Sequence, residues 1–521
     1  MTTRTKAVLS LDIGSSSCKA ALIDAQGRFL AESSAAYRIH NVKEGWFNQN
    51  PDEIWEGASK AIRGLFVGQA GSDNKGQIAV AALCLSSQIG SYMLVDRDNK
   101  PLTDFLSWMD TRAVVESEEM KKAFTEAELR SQLGMDIPVG PNWVIPKLRW
   151  FNRHHPDLLE RASLVVQPKE WVIWNLTGSW MSDQTSAKGC VHQQSLKPAS
   201  KLLEWAGAGP DIVPPIGLPH DIAGTLIPAV ADRLGLPSGI PVVLGWNDMS
   251  AALLGLAGLP DRLTGFDITG TSEHVGLIEP GLFSPVPKYV EGMNWVPLGE
   301  THRVIYGVTS TGGQALKWFV EQIDQYGKND INSSVDYDTI LRQAGSISAG
   351  SEGLLFLPYL SGERSPWWNP AARGVFFGLN PSHDRSHMAR AVMEGVGYAL
   401  CTMIDRLPVK PANMLVAGGS SRNRLWNQIK ANQIGVPFSR LETTEAGCLG
   451  AAILAAYALG WYSSLRETGN QMIRIAETYE PDRSVSSIYE EGYGRFVDLY
   501  HALVPVFSRE SSNRDIGGSS Q

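Results

Sequence analysis

The chain has 521 residues and a mass of 56.8 kDa, and 43% of it is hydrophobic, enough for sizeable cores and too much for wholesale disorder. Lys and Arg total 46 against 54 Asp and Glu, a formal net charge of −8 with no basic block, which disfavours nucleic-acid binding. The five cysteines are scattered without a CxxC pair, which disfavours a zinc site or a disulfide framework and fits a reducing cytosol.

At about 150 residues per domain the length suits three or four units, or two large ones. The N-terminal apolar run is interrupted by Asp12, too early for a signal peptide, and no uncharged apolar stretch is long enough to span a membrane. Ala7 to Leu11 reads as a buried strand, Asp12 to Ser17 as a tight polar turn, and Lys19 to Ile23 as a second strand. Asp24 to Gly27 turns the chain, and Arg28 to Leu30 opens a third strand. A helix follows from about Asp52, with Pro51 as its start signal. The continuous apolar run Ile78 to Leu85 predicts a central strand covered on both faces. Strands and helices mix throughout, so the fold class is α/β.

The second half echoes the first. Gly270-Thr271-Ser272 follows an Asp-Ile pair as Gly14-Ser15-Ser16 does, about half the chain further on. Coincidence between two Gly/Ser turns is one reading. The other is a pair of related domains, each offering a turn to a shared ligand. The boundary falls near 245–265, giving 1–246, 247–507 and a polar tail, 508–521, expected to be disordered.

Three turns have the chemistry to hold phosphate. In Asp12-Ile13-Gly14-Ser15-Ser16-Ser17-Cys18-Lys19, glycine lets the backbone approach an anion and successive N–H and hydroxyl groups can cradle its oxygens. An acid at the strand end suits Mg²⁺ bound through water. The spacing is not that of a P-loop, and an ordinary hairpin turn is the alternative. Thr269-Gly270-Thr271-Ser272 has the same donors. Ala417-Gly418-Gly419-Ser420-Ser421-Arg422-Asn423 joins a strand at 414–416 to a helix carrying Leu425, Ile429 and Ala431. A fourth pair, Gly312-Gly313, opens a helix whose Leu316, Phe319, Val320 and Ile323 form a core stripe. Asp248 follows the strand Pro241 to Leu244 and precedes an apolar helix; it is either that helix's cap or a general base.

Together these segments resemble the FGGY family of carbohydrate kinases, over about residues 6–465. The sharpest match is Gly374-Val375-Phe376-Phe377-Gly378-Leu379, seven residues, then His387-Met388-Ala389-Arg390-Ala391-Val392-Met393-Glu394. Met388, Val392, Val396 and Leu400 would stack on one helix face, and Gly395 and Gly397 would permit close backbone packing. Pro146-Lys147-Leu148-Arg149-Trp150-Phe151 keeps the Lys-x-x-Trp part of the family's N-terminal signature, but Asn142 and Val144 depart from it.

The resemblance implies two actin-like (ribonuclease H-like) ATPase domains around a deep cleft, whose closure excludes water. It implies ATP and Mg²⁺ as cofactors, transfer of the γ-phosphoryl group to a sugar hydroxyl, a cytoplasmic protein, no nucleic-acid or membrane partner, and the homodimer common in the family. Carried over by residue, Asp12 is the magnesium-associated acid. Gly14, Ser15, Ser16, Ser17 and Lys19 form the first phosphate turn, and Thr271 belongs to the second. Gly313 lies beside the nucleotide, Gly419 and Asn423 belong to the adenosine loop, and Asp248 is the catalytic base.

The sugar side is Gln88, Ile89, Gly90, Trp108, Asp110, Arg112 and Met249, with Asp110 and Arg112 alternatively a structural ion pair. Xylulose kinases carry Met-His where Ile89-Gly90 stand, and glycerol kinases carry Arg-Glu. Polar Asn or Gln is usual where Met249 stands. D-Xylulose and glycerol are therefore expected to be poor substrates, although a ketopentose is the expected class. Another polyol, a sugar acid or a modified signalling sugar is the alternative. A non-catalytic actin-like ATP-binding module is the reading from a different class. His383 and His387 are four apart without an HExxH, and are expected at the surface or as capping residues rather than as metal ligands.

Overall fold

The computed structural model describes residues 4–67, 78–135, 139–281, 290–324 and 337–517, with side chains described to 509. The chain forms two compact units: residues 1–258 with 446–473, and residues 259–445 with 474–521. The expected division was a single cut at 246/247. The chain instead returns to the first unit after crossing the second, because the apolar helix Ala446–Ala458 packs on the helix Asp248–Ala257. The close approach needs glycine: a Cβ on Gly450 would lie 1.8 Å from the Ala251 carbonyl oxygen.

In the first unit, β1 (Thr5–Ile13), β2 (Ser17–Asp24) and β3 (Phe29–Ala36) form an antiparallel meander. β4 (Ile78–Ser87) runs parallel to β1, β6 (Pro241–Asn247) runs parallel to β4, and β5 (Ile222–Thr225) closes the edge antiparallel to β6. The order is β5-β6-β4-β1-β2-β3, so the apolar run that predicted a doubly covered strand lies inside the sheet. Leu9, Leu11, Leu83, Leu85 and Leu244 are buried within its core. The helix Pro51–Gly64 is capped by Asn50, whose side chain accepts from the N–H groups of Asp52 and Glu53.

The second unit repeats this plan. β7 (Thr264–Thr269), β8 (Glu273–Pro280) and β10 (His302–Thr309) form the meander, with β9 (Asn294–Leu298) added at the edge. β11 (Met414–Gly418) pairs parallel with β7, β12 (Phe438–Leu441) parallel with β11, and β13 (Ile475–Tyr479) antiparallel with β12. The two Gly/Ser turns of the sequence are therefore the first hairpins of two equivalent sheets, β1–β2 and β7–β8.

The helix Arg385–Ile404 forms much of the second core. Its Glu394 accepts from Arg390, Ser351 and Tyr489, and Gly395 lets it lie against Phe356, whose carbonyl oxygen would be 2.2 Å from a Cβ. His387 belongs to this helix's capping box with Asp384. Leu316, Phe319 and Val320 are core residues; the Ile323 side chain lies outside the described residues. The helix Ser486–Gly517 covers most of the tail expected to be disordered, and 518–521 lie outside the described residues. Among the described residues no helix is long and apolar enough to cross a membrane.

Candidate active site

In the first unit the β1–β2 turn is built from its own backbone. The Gly14 N–H donates to the Ser17 carbonyl at 2.9 Å, and the Tyr37 N–H donates to the Ser16 carbonyl at 2.9 Å. Tyr37 also donates its hydroxyl to the Gly14 carbonyl, and Gln49 donates to the Ser15 carbonyl at 2.7 Å. The turn's carbonyls are thus tied back. Asp12 ends β1 directly opposite Lys19 of β2, and its Oδ1 accepts from Ser86 Oγ at 2.8 Å. Gly447, in the first turn of the helix Ala446–Ala458, comes so near that a Cβ there would stand 3.3 Å from the Asp12 carboxyl carbon. A helix N-terminus favours negative charge at that place.

Asp248 is the first residue of its helix, and the cap is its neighbour. Asn247 Oδ1 accepts from the Ser250 N–H at 2.9 Å, while Asn247 Nδ2 donates to Thr185 Oγ1 at 2.6 Å. With the cap supplied by Asn247, the exposed Asp248 carboxylate accepts from the Met249 N–H at 2.7 Å. The protein around it withdraws enough solvent to push its pKa up to about 7, and the like charge of Asp12 adds to the rise. A carboxylate with pKa near neutrality, reachable by solvent, has the properties of a general base.

The expected substrate segment leaves the end of β4. The Gln88 N–H donates to the Ile13 carbonyl at 2.8 Å, and Gln88 Nε2 donates to Gln49 at 3.1 Å. Gln88 is only 3% exposed, and its Oε1 has no partner among the described residues. Such an orphaned acceptor is what a ligand hydroxyl would satisfy. Gly90 has φ +86, and a Cβ would press on Trp108 Cβ at 3.0 Å, so a side chain there would be strained. Its N–H donates to Gln167 Oε1 at 2.7 Å.

The carbonyls of Gly90, Leu106 and Ser107 all accept from the buried Lys147 ammonium, at 2.9, 3.0 and 2.8 Å. The signature lysine therefore fastens the Gln88–Gly90 segment to the Trp108 loop. Trp108 is 42% exposed, and its Nε1 donates to Ser15 Oγ at 2.8 Å, joining the sugar-side loop to the phosphate turn. Ile89 and Met249 are half-buried.

Asp110 and Arg112 take the structural alternative. Arg112 Nε and Nη2 bond Asp110 at 2.7–3.0 Å, Asp110 also accepts from the Phe47 N–H at 2.8 Å, and Arg112 lies over the Trp46 and Trp150 rings. Both side chains are almost wholly buried in that pair.

In the second unit three Gly-containing turns meet. The N–H groups of Gly312 and Gly313 donate to the carbonyls of Thr271 and Gly270, at 2.9 and 2.8 Å. Ser420 Oγ would be 2.5 Å from a Cβ on Gly313. Around them opens a cavity of about 650 Å³, lined by Gly270, Thr271, Gly313, Gly419 and Ser420 and by Gln314, Lys317, Trp318, Glu321 and Gln322. This is the size of a small-molecule site. Gly418 has φ +99 and is required by the turn, since a Cβ would lie 2.0 Å from the Thr269 carbonyl oxygen. Gly419 differs: a Cβ there would meet nothing within 4 Å and would project into open space. Asn423 caps the helix Arg424–Ile434 by accepting from the Trp426 N–H at 3.1 Å and does not line the cavity. Beneath the hairpin, Lys430 is buried between Asp267 and Glu273, fixing β7 to β8.

Sequence reasoning missed Ser86, Gly447, Gln49, Gln167, Trp318 and the Lys147 contacts. The only signal was the conspicuous Lys147 in the signature; the rest act through distant partners.

Two equivalent sheets, each opened by a Gly/Ser hairpin, one beside the Asp12 and Asp248 carboxylates and the other beside a cavity of about 650 Å³, are those of a phosphotransferase of the actin-like ATPase fold. The chain belongs to the FGGY family of carbohydrate kinases: residues 7–255 match the family's N-terminal domain and residues 266–459 its C-terminal domain. It is an ATP-binding carbohydrate kinase, acting on an alcohol group.

It is 28% identical to a xylulose kinase of Staphylococcus epidermidis over 511 residues, covering 95% of this chain and 96% of the relative. It is 29% identical to a gluconokinase of Bacillus licheniformis over 520 residues, covering 96% of each. The solved gluconate kinase of Lactobacillus acidophilus superposes with a TM-score of 0.81 at 26% identity, covering 97% of this chain and 99% of that one. A Plasmodium falciparum glycerol kinase solved with ADP shares the fold, with a TM-score of 0.80 at 19% identity, covering 95% and 98%.

Proposed function

We propose that the protein transfers the γ-phosphoryl group of ATP to a hydroxyl of a small open-chain sugar or sugar derivative, with Asp248 as the general base. The observation that carries this is the Asp248 carboxylate itself. It is relieved of capping by Asn247, open to an incoming hydroxyl, and raised toward neutrality by its surroundings and Asp12. Gln88 orients the acceptor through its orphaned oxygen, and Trp108 offers a flat apolar face beside it. In the second unit Thr271, Gly313 and Gly419 hold the nucleotide in the cavity they line. Backbone N–H and hydroxyl donors of the β7–β8 hairpin bind phosphate oxygens there, and positioning and charge stabilisation supply most of the catalysis.

Mg²⁺ fits Asp12 by donor chemistry, a carboxylate at a strand end; its role is to neutralise phosphate charge. Among the described residues no cluster of three acidic, His or Cys side chains could cage the ion, so phosphate oxygens and water would complete its shell. A homodimer and a cytoplasmic location belong to this reading through the family resemblance alone.

A ketopentose is supported by the xylulose kinase relatives. A sugar acid is supported equally by the gluconokinases and the gluconate kinase structure. The test is a coupled assay of ADP release with pentuloses, hexuloses, polyols and sugar acids. Acceptor-dependent turnover supports the reading. ATP binding with no acceptor-dependent turnover across the panel would overturn it in favour of a non-catalytic ATP-binding module.

A further inference from the structure

Three charged side chains are sealed beneath the β7–β8 hairpin. Asp267 on β7 and Glu273 at the head of β8 are 0% exposed, and Lys430 on the helix Arg424–Ile434 is 1% exposed. The Lys430 ammonium donates to Asp267 Oδ2 at 2.9 Å and to Glu273 Oε1. The second oxygen of each carboxyl, Asp267 Oδ1 and Glu273 Oε2, is buried with no donor among the described residues.

The charges here do not balance. Elsewhere in the interior Asp110 is matched by Arg112 and Glu394 by Arg390, one to one. Beneath the hairpin one ammonium faces two carboxyls. With both ionised, a net negative charge would lie in the dry interior beside two orphaned acceptors, and each of these is costly. The charges that act on Glu273 are those of Asp267 and Lys430. The other groups packed around it are neutral. β10 places Thr309 directly opposite, Gly312 comes so close that a Cβ there would be 3.1 Å from Glu273 Oε2, and burial and Arg364 hold the adjoining His274 uncharged with its pKa lowered to about 4.

A single proton removes both problems. The two carboxyls lie within hydrogen-bonding reach of each other, so a protonated Glu273 can donate to Asp267, and the cluster of three is then neutral. Burial and the Asp267 charge both favour this state, raising the Glu273 pKa to about 8.

Every turn that lines the cavity is tied to this cluster. Asp267 and Glu273 flank the Gly270–Ser272 turn, and Thr269 paired with Glu273 is the last rung of the hairpin. Gly312, packed on Glu273, donates its N–H to the Thr271 carbonyl at 2.9 Å. Thr269 Oγ1 accepts from the Ser421 N–H at 3.1 Å, and Asn427, on the same helix as Lys430, donates to the Ser421 carbonyl at 2.7 Å.

We propose that Glu273 is a positioning residue for the nucleotide that works as a neutral acid: its carboxyl donates to Asp267 while Lys430 holds both, which keeps the three turns in register and keeps net negative charge from lying beneath the phosphates. The proposal rests on the reading that this cavity holds ATP. As pH rises and Glu273 gives up its proton, the cluster becomes anionic. The folded chain keeps a proton here that the unfolded chain has already released, so stability falls as pH rises toward the folded value and the contribution is gone above it. An anionic nucleotide is repelled over the same range.

Glu273→Gln supplies the isostere of the protonated acid at every pH, and is tested in the full chain by calorimetry with ATP and by Tm. At pH 7 its ATP affinity is expected to stay within about twofold of wild type and its Tm to hold, whereas Glu273→Ala is expected to lose both. From pH 7 to 9 the wild type is expected to lose about fivefold or more in ATP affinity, and its Tm to fall more steeply than that of Glu273→Gln, whose affinity stays level. Loss of fold or of ATP affinity at pH 7 in Glu273→Gln would overturn the neutral acid and make Glu273 the ionised partner of Lys430. A wild-type Tm that falls no more steeply than the variant's would overturn it whatever the cavity binds. A difference in Tm with no difference in ATP affinity would overturn the positioning role. A wild type that binds no ATP at any pH would remove the nucleotide reading of the cavity, and the positioning role with it.

Discussion

Replacing Asp248 with Asn isolates the chemistry of one oxygen. The amide keeps the shape and can still accept from the Met249 N–H at 2.7 Å, and the cap remains with Asn247. What it loses is proton affinity. General-base assistance is worth roughly 10²- to 10⁴-fold, so turnover is expected to fall by at least about 10²-fold with ATP binding retained. The wild type should also show an acid limb. The Asp248 pKa is raised by surrounding protein and by Asp12, to about 7 from an ordinary 3.8. A base with a raised pKa is protonated, and idle, as pH falls through that value.

Because the carboxylate is exposed, solvent screens part of the shift, so the midpoint should lie above the ordinary carboxylate range and no higher than about 7. The variant should lose this limb. It should also melt no lower than the wild type, since it removes a charge that repels Asp12. The measurements are kcat and kcat/KM from pH 5 to 9 by coupled ADP release, nucleotide affinity by calorimetry, and Tm. Turnover of Asp248→Asn within about tenfold of wild type, or an acid limb that survives in the variant, would refute the assignment.

Three further substitutions probe the supports. Lys147→Met leaves three carbonyl oxygens without their ammonium; it should destabilise the first unit by at least about 2 kcal/mol in denaturant melts and raise acceptor KM more than ATP KM. Gly419→Val has room for its side chain, so Tm should hold while calorimetric ATP affinity falls; unchanged affinity would make the loop a structural turn only. Arg112→Ala strands the buried Asp110 and should cost about 3–5 kcal/mol of stability, whereas a variant that kept its fold and lost only acceptor binding would return Arg112 to the sugar site.

The sequence alone determined much of the frame. Alternating strand and turn signals placed β1, β2 and the buried β4, because apolar runs and Gly/Ser turns are local properties. The repeated Asp-Ile-then-Gly turns pointed to two equivalent sheets, and the glycines at 395 and 397 did mark close packing. The tertiary structure decided what each polar residue does. Asp248 and Asn247 are adjacent in sequence, and only the fold assigns the cap to one and leaves the other open. Asp110 and Arg112 read equally as sugar ligands or as an ion pair until Phe47, Trp46 and Trp150, far away in sequence, closed around them. Asn423 became a helix cap because the chain turns there into the helix Arg424–Ile434. Whether a charge has a partner depends on which carboxylates the fold brings near it, and here the fold gave Asp183 to Lys169.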